Sequence, residues 1–253
     1  MKRIVKIHLL LKKEEIDCEK LADSEKVVVV LDVLLATSTI VASLSFGASK
    51  IIPVMNQDEA LEKASQFDKG RYCLVGEDKG EVIEGFLEPN PLKLANSING
   101  KAVILSTTNG TVAILKAACA KKVYIASLLN GKAVAEKMAA NHKEDTIIIV
   151  CSGSHNRFCM EDFYGAGYLI NELIRLCNRY ELTDAAKTAL YFFQSNKENA
   201  FEILEESKVG QKLLQMGYDE EITYISQLGV IPIVPCLEHS SGIIKDFNYV
   251  KLL

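Results

Sequence analysis

Three short polar segments of this sequence carry side chains that could form a phosphate site. Each segment directly follows an apolar run typical of a buried strand. The first holds an acid and three hydroxyls, the second hydroxyls and an amide, and the third an arginine followed by two acids. The candidate residues are Asp32, Thr37, Ser38 and Thr39, then Thr107, Thr108, Asn109, Gly110 and Thr111, then Gly153, Arg157, Glu161 and Asp162.

These residue types favour phosphoryl chemistry. Hydroxyls, backbone amides at a helix start and one arginine can bind the oxygens of a phosphate monoester. Carboxylates with no histidine at ligand spacing suit an oxygen-preferring cation such as Mg²⁺, which is usually shared with the substrate phosphate. A fourth strand ends in Gly76-Glu77, a weaker signal that more often marks an ordinary turn. Each segment alone could merely cap a turn and a helix. Together they favour a phosphate site.

The elements that must position these segments alternate between strand and helix. Residues 27–31 are five consecutive apolar residues, which is typical of a central strand covered on both faces. A first strand is predicted at the N-terminus. Further strands are predicted at 50–54, 71–75, 101–105, 123–126 and 146–150, with helices after residue 36, at 56–67, at 112–119, around 134–138 and from 160 to about 180. This alternation predicts a largely parallel sheet with the polar segments at one edge.

The pattern is weaker in the last third of the chain. Helices are predicted at 184–194 and 199–217, a helix or turn at 221–229, an edge strand at 230–235 and a last strand within 242–253. Residues 80–99 have no clear periodicity and are predicted to form an ordered loop that could cover a site. We expect one domain over residues 1–253, and a division into 1–165 and 166–253 stays open.

Composition narrows the classes of partner. The net charge is −4 with both signs interspersed, so neither a nucleic acid nor a membrane surface is expected to bind. The N-terminal apolar run is too short for a signal peptide or a spanning helix, which predicts a cytoplasmic protein. Seven cysteines without a C-x-x-C pair predict reduced thiols rather than disulfides or a zinc site. The expected partners are a small phosphorylated acid and further copies of the chain in a homo-oligomer.

Four motifs in this order resemble those of the 2-phosphosulfolactate phosphatase family. They are D-V-L-x-A-T-S-T from Asp32, G-E from Gly76, T-T-N-G-T from Thr107 and C-x-G-x-x-x-R-F-x-x-E-D from Cys151. The resemblance covers the first part of the chain far better than the C-terminal third. It implies a three-layer α/β/α fold with a mixed, largely parallel sheet. It also implies a magnesium-dependent phosphatase that converts 2-phospho-3-sulfolactate to 3-sulfolactate, a step toward coenzyme M.

The resemblance also implies roles for individual residues. Asp32, Glu77, Arg157 and Asp162 become the catalytic candidates, and Asp32, Glu77, Glu161 and Asp162 the candidate Mg²⁺ ligands, one of which could instead activate water. The hydroxyl-rich turns, Gly110, Gly153 and Arg157 would hold the phosphate. This chain departs from the family pattern at Leu35, where an arginine is usual, and at residues 87–91, where an acid and G-N-S-P are typical. The sulfonated substrate therefore stays open.

Three alternatives use the same residues. Cys151 and Arg157 have the spacing of the cysteine-dependent phosphatases, in which a thiolate attacks phosphate, although the two acids nearby would oppose this. Asp32 could be an aspartyl nucleophile of the haloacid-dehalogenase type, but that family has a second aspartate where this chain has Leu34. A non-catalytic small-anion binding protein is the third alternative. His155 could donate to phosphate, although a loop histidine is more often solvated.

Overall fold

The structure is a computed structural model that describes residues 4–22, 25–177 and 179–247. The strands are β1 Val5–Leu10, β2 Lys26–Leu31, β3 Lys50–Val54, β4 Tyr72–Asp78, β5 Glu81–Val82, β6 Ala102–Ser106, β7 Lys122–Ala126, β8 Thr146–Cys151, β9 Tyr180–Leu182, β10 Pro235–Glu238 and β11 Ile243–Asp246. The helices are α1 Cys18–Ala22, α2 Ala36–Ser45, α3 Gln57–Ala64, α4 Pro91–Leu94, α5 Gly110–Lys116, α6 Gly131–Asn141, α7 Met160–Leu176, α8 Asp184–Ser195, α9 Ala200–Glu206, α10 Lys208–Gln215 and α11 Asp219–Ile225. Short 3-10 turns span Lys13–Glu15 and Ala117–Cys119.

All described strands belong to one mixed sheet in the order β5-β4-β6-β3-β11-β10-β7-β2-β8-β1-β9. Two parallel blocks, β4-β6-β3 and β7-β2-β8-β1-β9, are joined by the antiparallel hairpin β10–β11. Helices cover the sheet, which confirms the three-layer α/β/α prediction. Strands β9, β10 and β11 come from residues 166–253 and join the same sheet as the rest. The number of domains stays a prediction.

Strand β2 lies inside the sheet and is buried on both faces, as its unbroken apolar sequence predicts. Val27, Val29 and Leu31 pack into the apolar cluster that contains the helices α6 to α11. Val28 and Val30 point to the other face, where they join a cluster with β3, β6 and α5. Because successive side chains of a strand alternate between faces, this double burial holds the strand firmly in place. The polar segment that begins at Asp32, directly after β2, therefore starts from a fixed position.

The sheet is strongly curved, and this curvature assembles the site. Strands β6 and β2 are five spacings apart in the sheet order, which would be about 24 Å in a flat sheet. Nevertheless, a Cβ added to Gly110, just after β6, would lie 2.7 Å from Oδ2 of Asp32, just after β2. The ends of the two parallel blocks therefore face each other across the curve.

The structure corrects several boundaries in the C-terminal third. The helix predicted at 199–217 is two helices, α9 and α10, which are separated at Ser207. The strand predicted at 230–235 is wrong, because residues 230–234 are not a strand and β10, which begins at Pro235, lies within the sheet rather than at its edge. Strand β9 replaces the predicted end of α7. The last predicted strand is β11, and residues 248–253 lie outside the described part of the chain.

Two corrections concern the N-terminal half. The loop predicted at 80–99 contains the short elements β5 and α4. The prediction that every cysteine is a free thiol is wrong, because Cys18 of α1 and Cys119 of the second 3-10 turn form a disulfide. The other five cysteines are free. Among the described residues, no helix has the length and apolar character needed to span a membrane. The cytoplasmic location and the homo-oligomer stay predictions.

Candidate active site

The first polar segment forms a closed turn between β2 and α2. The Thr37 hydroxyl accepts a hydrogen bond from Asp32 N at 3.0 Å and donates to Asp32 O at 2.8 Å. Ser38 donates to Val33 O and Thr39 to Pro89 O, each at 2.8 Å. All three residues are fully buried, and none of them lines the neighbouring cavity. The structure thus uses them to shape the turn, and their predicted contact with phosphate gains no support from this geometry.

The second polar segment repeats this arrangement between β6 and α5. Thr111 Oγ1 accepts from Thr107 N at 3.0 Å and donates to Thr107 O at 2.8 Å. Thr108 is held by Glu77, whose Oε1 accepts from Thr108 N at 2.6 Å and whose Oε2 accepts from the Thr108 hydroxyl at 2.9 Å. Glu77 Oε2 also accepts from Gly80 N at 2.7 Å. Glu77 therefore fixes two loops to each other at the edge of the site.

The third segment is tied to the first by Asp162, at the start of α7. Its Oδ1 accepts from Val33 N at 2.8 Å and its Oδ2 from Gly153 N at 3.0 Å. Gly153 has φ +66°, and a Cβ there would lie 2.6 Å from Arg157 O, so a larger residue would disrupt this loop. Since Asp162 takes the Gly153 amide, that amide is not available to phosphate.

A cavity of about 710 Å³ lies where the three segments meet. Asp32, Glu161 and Asp162 line its buried part and are only 8%, 2% and 3% exposed. Predicted residues that also line the cavity are Glu77, Thr107, Thr108, Asn109, Gly153 and Arg157. Those that do not line it are Thr37, Ser38, Thr39, Gly110 and Thr111. Gly110 nevertheless contributes by its lack of a side chain, because a Cβ there would collide with Asp32.

The buried acids repel one another. Burial, followed by the charges of Glu77 and Glu161, raises the pKa of Asp32 to about 7. Burial likewise raises the pKa of Glu161, and burial together with Asp32 and Glu161 raises that of Asp162 well above its ordinary value. In the described part of the chain, no salt bridge joins any of these acids to a basic residue. The site therefore concentrates negative charge that a cation would stabilise.

Lys13 is a site residue that the sequence interpretation missed. It lies in the 3-10 turn after β1 and is 7% exposed, and its Nζ donates to Asn109 Oδ1 at 2.8 Å. Its charge lowers the pKa of Asp32 against the larger effect of burial. No local pattern marks this lysine in K-K-E-E. Only the packing of β1 beside β8 brings it to Asn109, 96 residues further along the chain.

The donor chemistry of the buried acids fits Mg²⁺. Among the described residues, no three His, Cys, Asp or Glu side chains are grouped so that they could hold a metal ion, and the four predicted ligands form no such group. Mg²⁺ does not need one, because it keeps several waters and commonly uses one or two carboxylates plus substrate phosphate. The oxygens of Glu77 and Asp162 already accept backbone amides. Asp32 is therefore the acid with most capacity for a cation, because Ser207 and Cys159 also lie close enough to Glu161 to lower its pKa.

The cysteine-dependent alternative is not supported by the position of Cys151. This residue is the last of β8, is fully buried and does not line the cavity. Burial, followed by the charges of Asp162 and Glu161, raises the pKa of its thiol well above the ordinary value. A buried protonated thiol is a poor nucleophile. Arg157 and His155 line the cavity and are exposed, and Leu34 lies there instead of the second aspartate of the haloacid dehalogenases.

Comparison with known proteins identifies a family for the chain. The family model for 2-phosphosulpholactate phosphatase matches residues 10–240. A probable 2-phosphosulfolactate phosphatase of Clostridium perfringens strain SM101 is 40% identical over 245 residues, which covers 95% of this chain and 96% of that protein. Proteins described by the same words from Clostridium beijerinckii and Caldanaerobacter subterraneus are each 35% identical, over 86% and 87% of this chain and 90% of each relative.

Proposed function

Because the chain belongs to the 2-phosphosulfolactate phosphatase family, we propose that it is a Mg²⁺-dependent phosphatase that hydrolyses 2-phospho-3-sulfolactate to 3-sulfolactate and phosphate. The main support is the group of buried acids at one end of the cavity, where raised pKa values of Asp32, Glu161 and Asp162 mark an uncompensated negative charge. Such a group repels a phosphate unless a cation is present. A cation-assisted phosphatase accounts for both the acids and the cavity.

In this proposal, Asp32 and Glu161 have different tasks. The pKa of Asp32 responds to both Glu77 and Glu161, so Asp32 lies in the middle of the acids and is best placed to hold the ion. A bound Mg²⁺ would neutralise charge on the phosphoryl oxygens and on the acids. Glu161 is buried with a raised pKa, which suits it to accept a proton from the attacking water near neutral pH.

The remaining residues hold these two acids and the substrate in position. The Asp162 carboxylate connects the turn after β2 to the loop after β8, because it accepts hydrogen bonds from the amides of Val33 and Gly153. Glu77 does the same for the turn after β6 and the loop after β4. Arg157 at the exposed side of the cavity would contact phosphoryl oxygens. Phosphoryl transfer requires mainly such positioning and charge stabilisation.

The test is release of inorganic phosphate from racemic 2-phosphosulfolactate and from a panel of other phosphate monoesters. We expect hydrolysis of the sulfonated ester with Mg²⁺, loss of activity in EDTA, and a decrease of at least about a thousandfold in Asp32→Asn, because a metal ligand contributes several kcal/mol. The control is Asp68→Asn, which changes an exposed aspartate outside the cavity.

Two outcomes would contradict this proposal. Hydrolysis that persists in EDTA would rule out the metal-dependent mechanism. Binding of phosphate esters without any phosphate release would instead identify the chain as a small-anion binding protein.

A further inference from the structure

The cavity has acids at its buried end and bases at its exposed rim. Four basic side chains line the rim: Lys79, Arg157, Lys208 and Lys212. Within the described ranges, none of the four takes part in a salt bridge or in a side-chain hydrogen bond. The buried acids account for a cation and a phosphoryl group. Binding of that cation and phosphoryl group at the acids leaves the positive charge of the rim lysines without a role.

Helix α10 begins beside the acidic end of the cavity. Its N-cap residue Ser207 is buried, and the Ser207 hydroxyl accepts from Gly210 N at 2.9 Å. The hydroxyl itself donates to Leu204 O at 2.9 Å, and Ser207 lies close enough to Glu161 to lower the pKa of that carboxyl against the larger effect of burial. Gly210 allows the close packing, because a Cβ there would collide with the backbone of Leu204. The helix is thus fixed relative to the candidate catalytic acids.

Lys208 and Lys212 lie on one face of α10. Residues four apart in a helix are neighbours, so both lysines face the cavity that they line. The ammonium of Lys212 lies against Gly80 in the loop between β4 and β5, where any other residue would place its Cβ on the ammonium. The same Gly80 donates its amide to Glu77. Lys212 therefore extends from α10 across to the loop that Glu77 holds.

We propose that Lys208 and Lys212 form the subsite for the sulfonate of the substrate, with the phosphoryl group at the acids. This inference rests on the proposed function, since it assigns the second anion of the same substrate. Lysines act as adaptable point charges and suit a tetrahedral three-oxygen anion, while the fork of Arg157 is left to bind the phosphoryl oxygens. Two lysines on one rigid face would select esters that carry a permanently charged group beyond the phosphate.

The experiment compares binding of two hydroxy acids that differ only in the sulfonate, 3-sulfolactate and lactate, by calorimetry at constant ionic strength. We expect the wild type to prefer 3-sulfolactate over lactate. The double variant Lys208→Met/Lys212→Met should bind 3-sulfolactate about a hundredfold or more weakly, because each lost charge-assisted hydrogen bond weakens binding about tenfold or more. Affinity for lactate should not change. Lys212→Arg retains the charge and should retain most of the affinity.

The control variant is Lys187→Met, which removes an exposed lysine of α8 outside the cavity. Methionine keeps the aliphatic stem of lysine at an exposed position, and equal melting temperatures would exclude a folding defect. An equal loss for 3-sulfolactate and lactate would assign the lysines to the carboxylate and overturn the proposal, as would no loss for either.

Binding and turnover separate this inference from the proposed function. If the lysine variants lose 3-sulfolactate affinity while the wild type hydrolyses no ester, the subsite is supported and the phosphatase proposal fails. If the wild type hydrolyses 2-phosphosulfolactate while the double variant keeps an unchanged ratio of kcat/KM for 2-phosphosulfolactate and 2-phospholactate, the subsite is refuted and the phosphatase proposal is supported.

Discussion

Replacing Asp32 with asparagine should abolish activity and stabilise the metal-free fold. Burial and the neighbouring acids raise the pKa of Asp32 from 3.8 to about 7. Between these values the folded protein holds a proton that the unfolded chain has released, so stability falls as the pH rises. The penalty is absent below the unfolded value and complete above the folded one. About three pKa units at 1.36 kcal/mol each give about 4 kcal/mol at pH 8.

The assay is thermal unfolding of the wild type and Asp32→Asn in EDTA at pH 8 and pH 5. A gain of about 4 kcal/mol corresponds to a rise of roughly 8–16 °C in Tm for a chain of this size. At pH 5 Asp32 destabilises the wild type by only about 2 kcal/mol, because the destabilisation has built up only from the unfolded pKa to the pH of the buffer. The difference between the two proteins should therefore be smaller by about half at pH 5.

Asp68→Asn is the control for Asp32→Asn. Asp68→Asn removes an exposed carboxylate and should leave Tm nearly unchanged at both pH values. If Asp32→Asn unfolds at or below the wild-type temperature at pH 8 in EDTA, Asp32 is not destabilised by its neighbours. The central argument for a cation at this site would then fail.

Two further predictions concern Lys13 and Cys151. Lys13→Met should lower kcat/KM by about ten- to a hundredfold, because it removes the charged hydrogen bond to Asn109 and a positive charge that acts on Asp32. The matched control is Lys12→Met, which removes a less buried lysine bonded to Asn156. Phosphate release measures both, and equal activity of the two variants would contradict a role for Lys13. Cys151→Ser should keep most activity, since the thiol is buried outside the cavity, although the buried hydroxyl should cost about 1–3 kcal/mol in unfolding experiments. Complete loss of activity with normal folding would restore the thiolate mechanism.

The strands and the order of the polar turns could be predicted because their signals are local. The apolar run of β2 and the acid that follows it lie within a few residues of one another, and the same is true of β6 and its hydroxyls. The direction of those hydroxyls could not be predicted in this way. A threonine after a strand can bind a ligand or its own turn with equally good local geometry, and Thr37 and Thr111 bind their own turns.

Residues that reach the site through distant contacts left no such signal. Lys13 meets Asn109 through strand pairing, and Lys212 meets Gly80 through α10, a helix whose start at Ser207 falls within a continuous helical pattern. The curvature of the sheet was also hidden, because the strands β10 and β11 that join the two parallel blocks come from the weakly patterned end of the chain. Sequence periodicity reports which face is buried, but not which distant element covers it.

The four acids of the site divide into two pairs with different physical roles. Glu77 and Asp162 each accept backbone amides from two segments, so each joins loops that follow different strands. Removing either carboxylate leaves backbone amides without their partner and disturbs the arrangement of the loops as well as the charge. In the described part of the chain, no hydrogen bond joins the Asp32 carboxylate to a distant loop. Its charge can therefore be removed with little effect on the arrangement of the turns, so at Asp32, unlike at Glu77 or Asp162, loss of activity should coincide with a gain of stability.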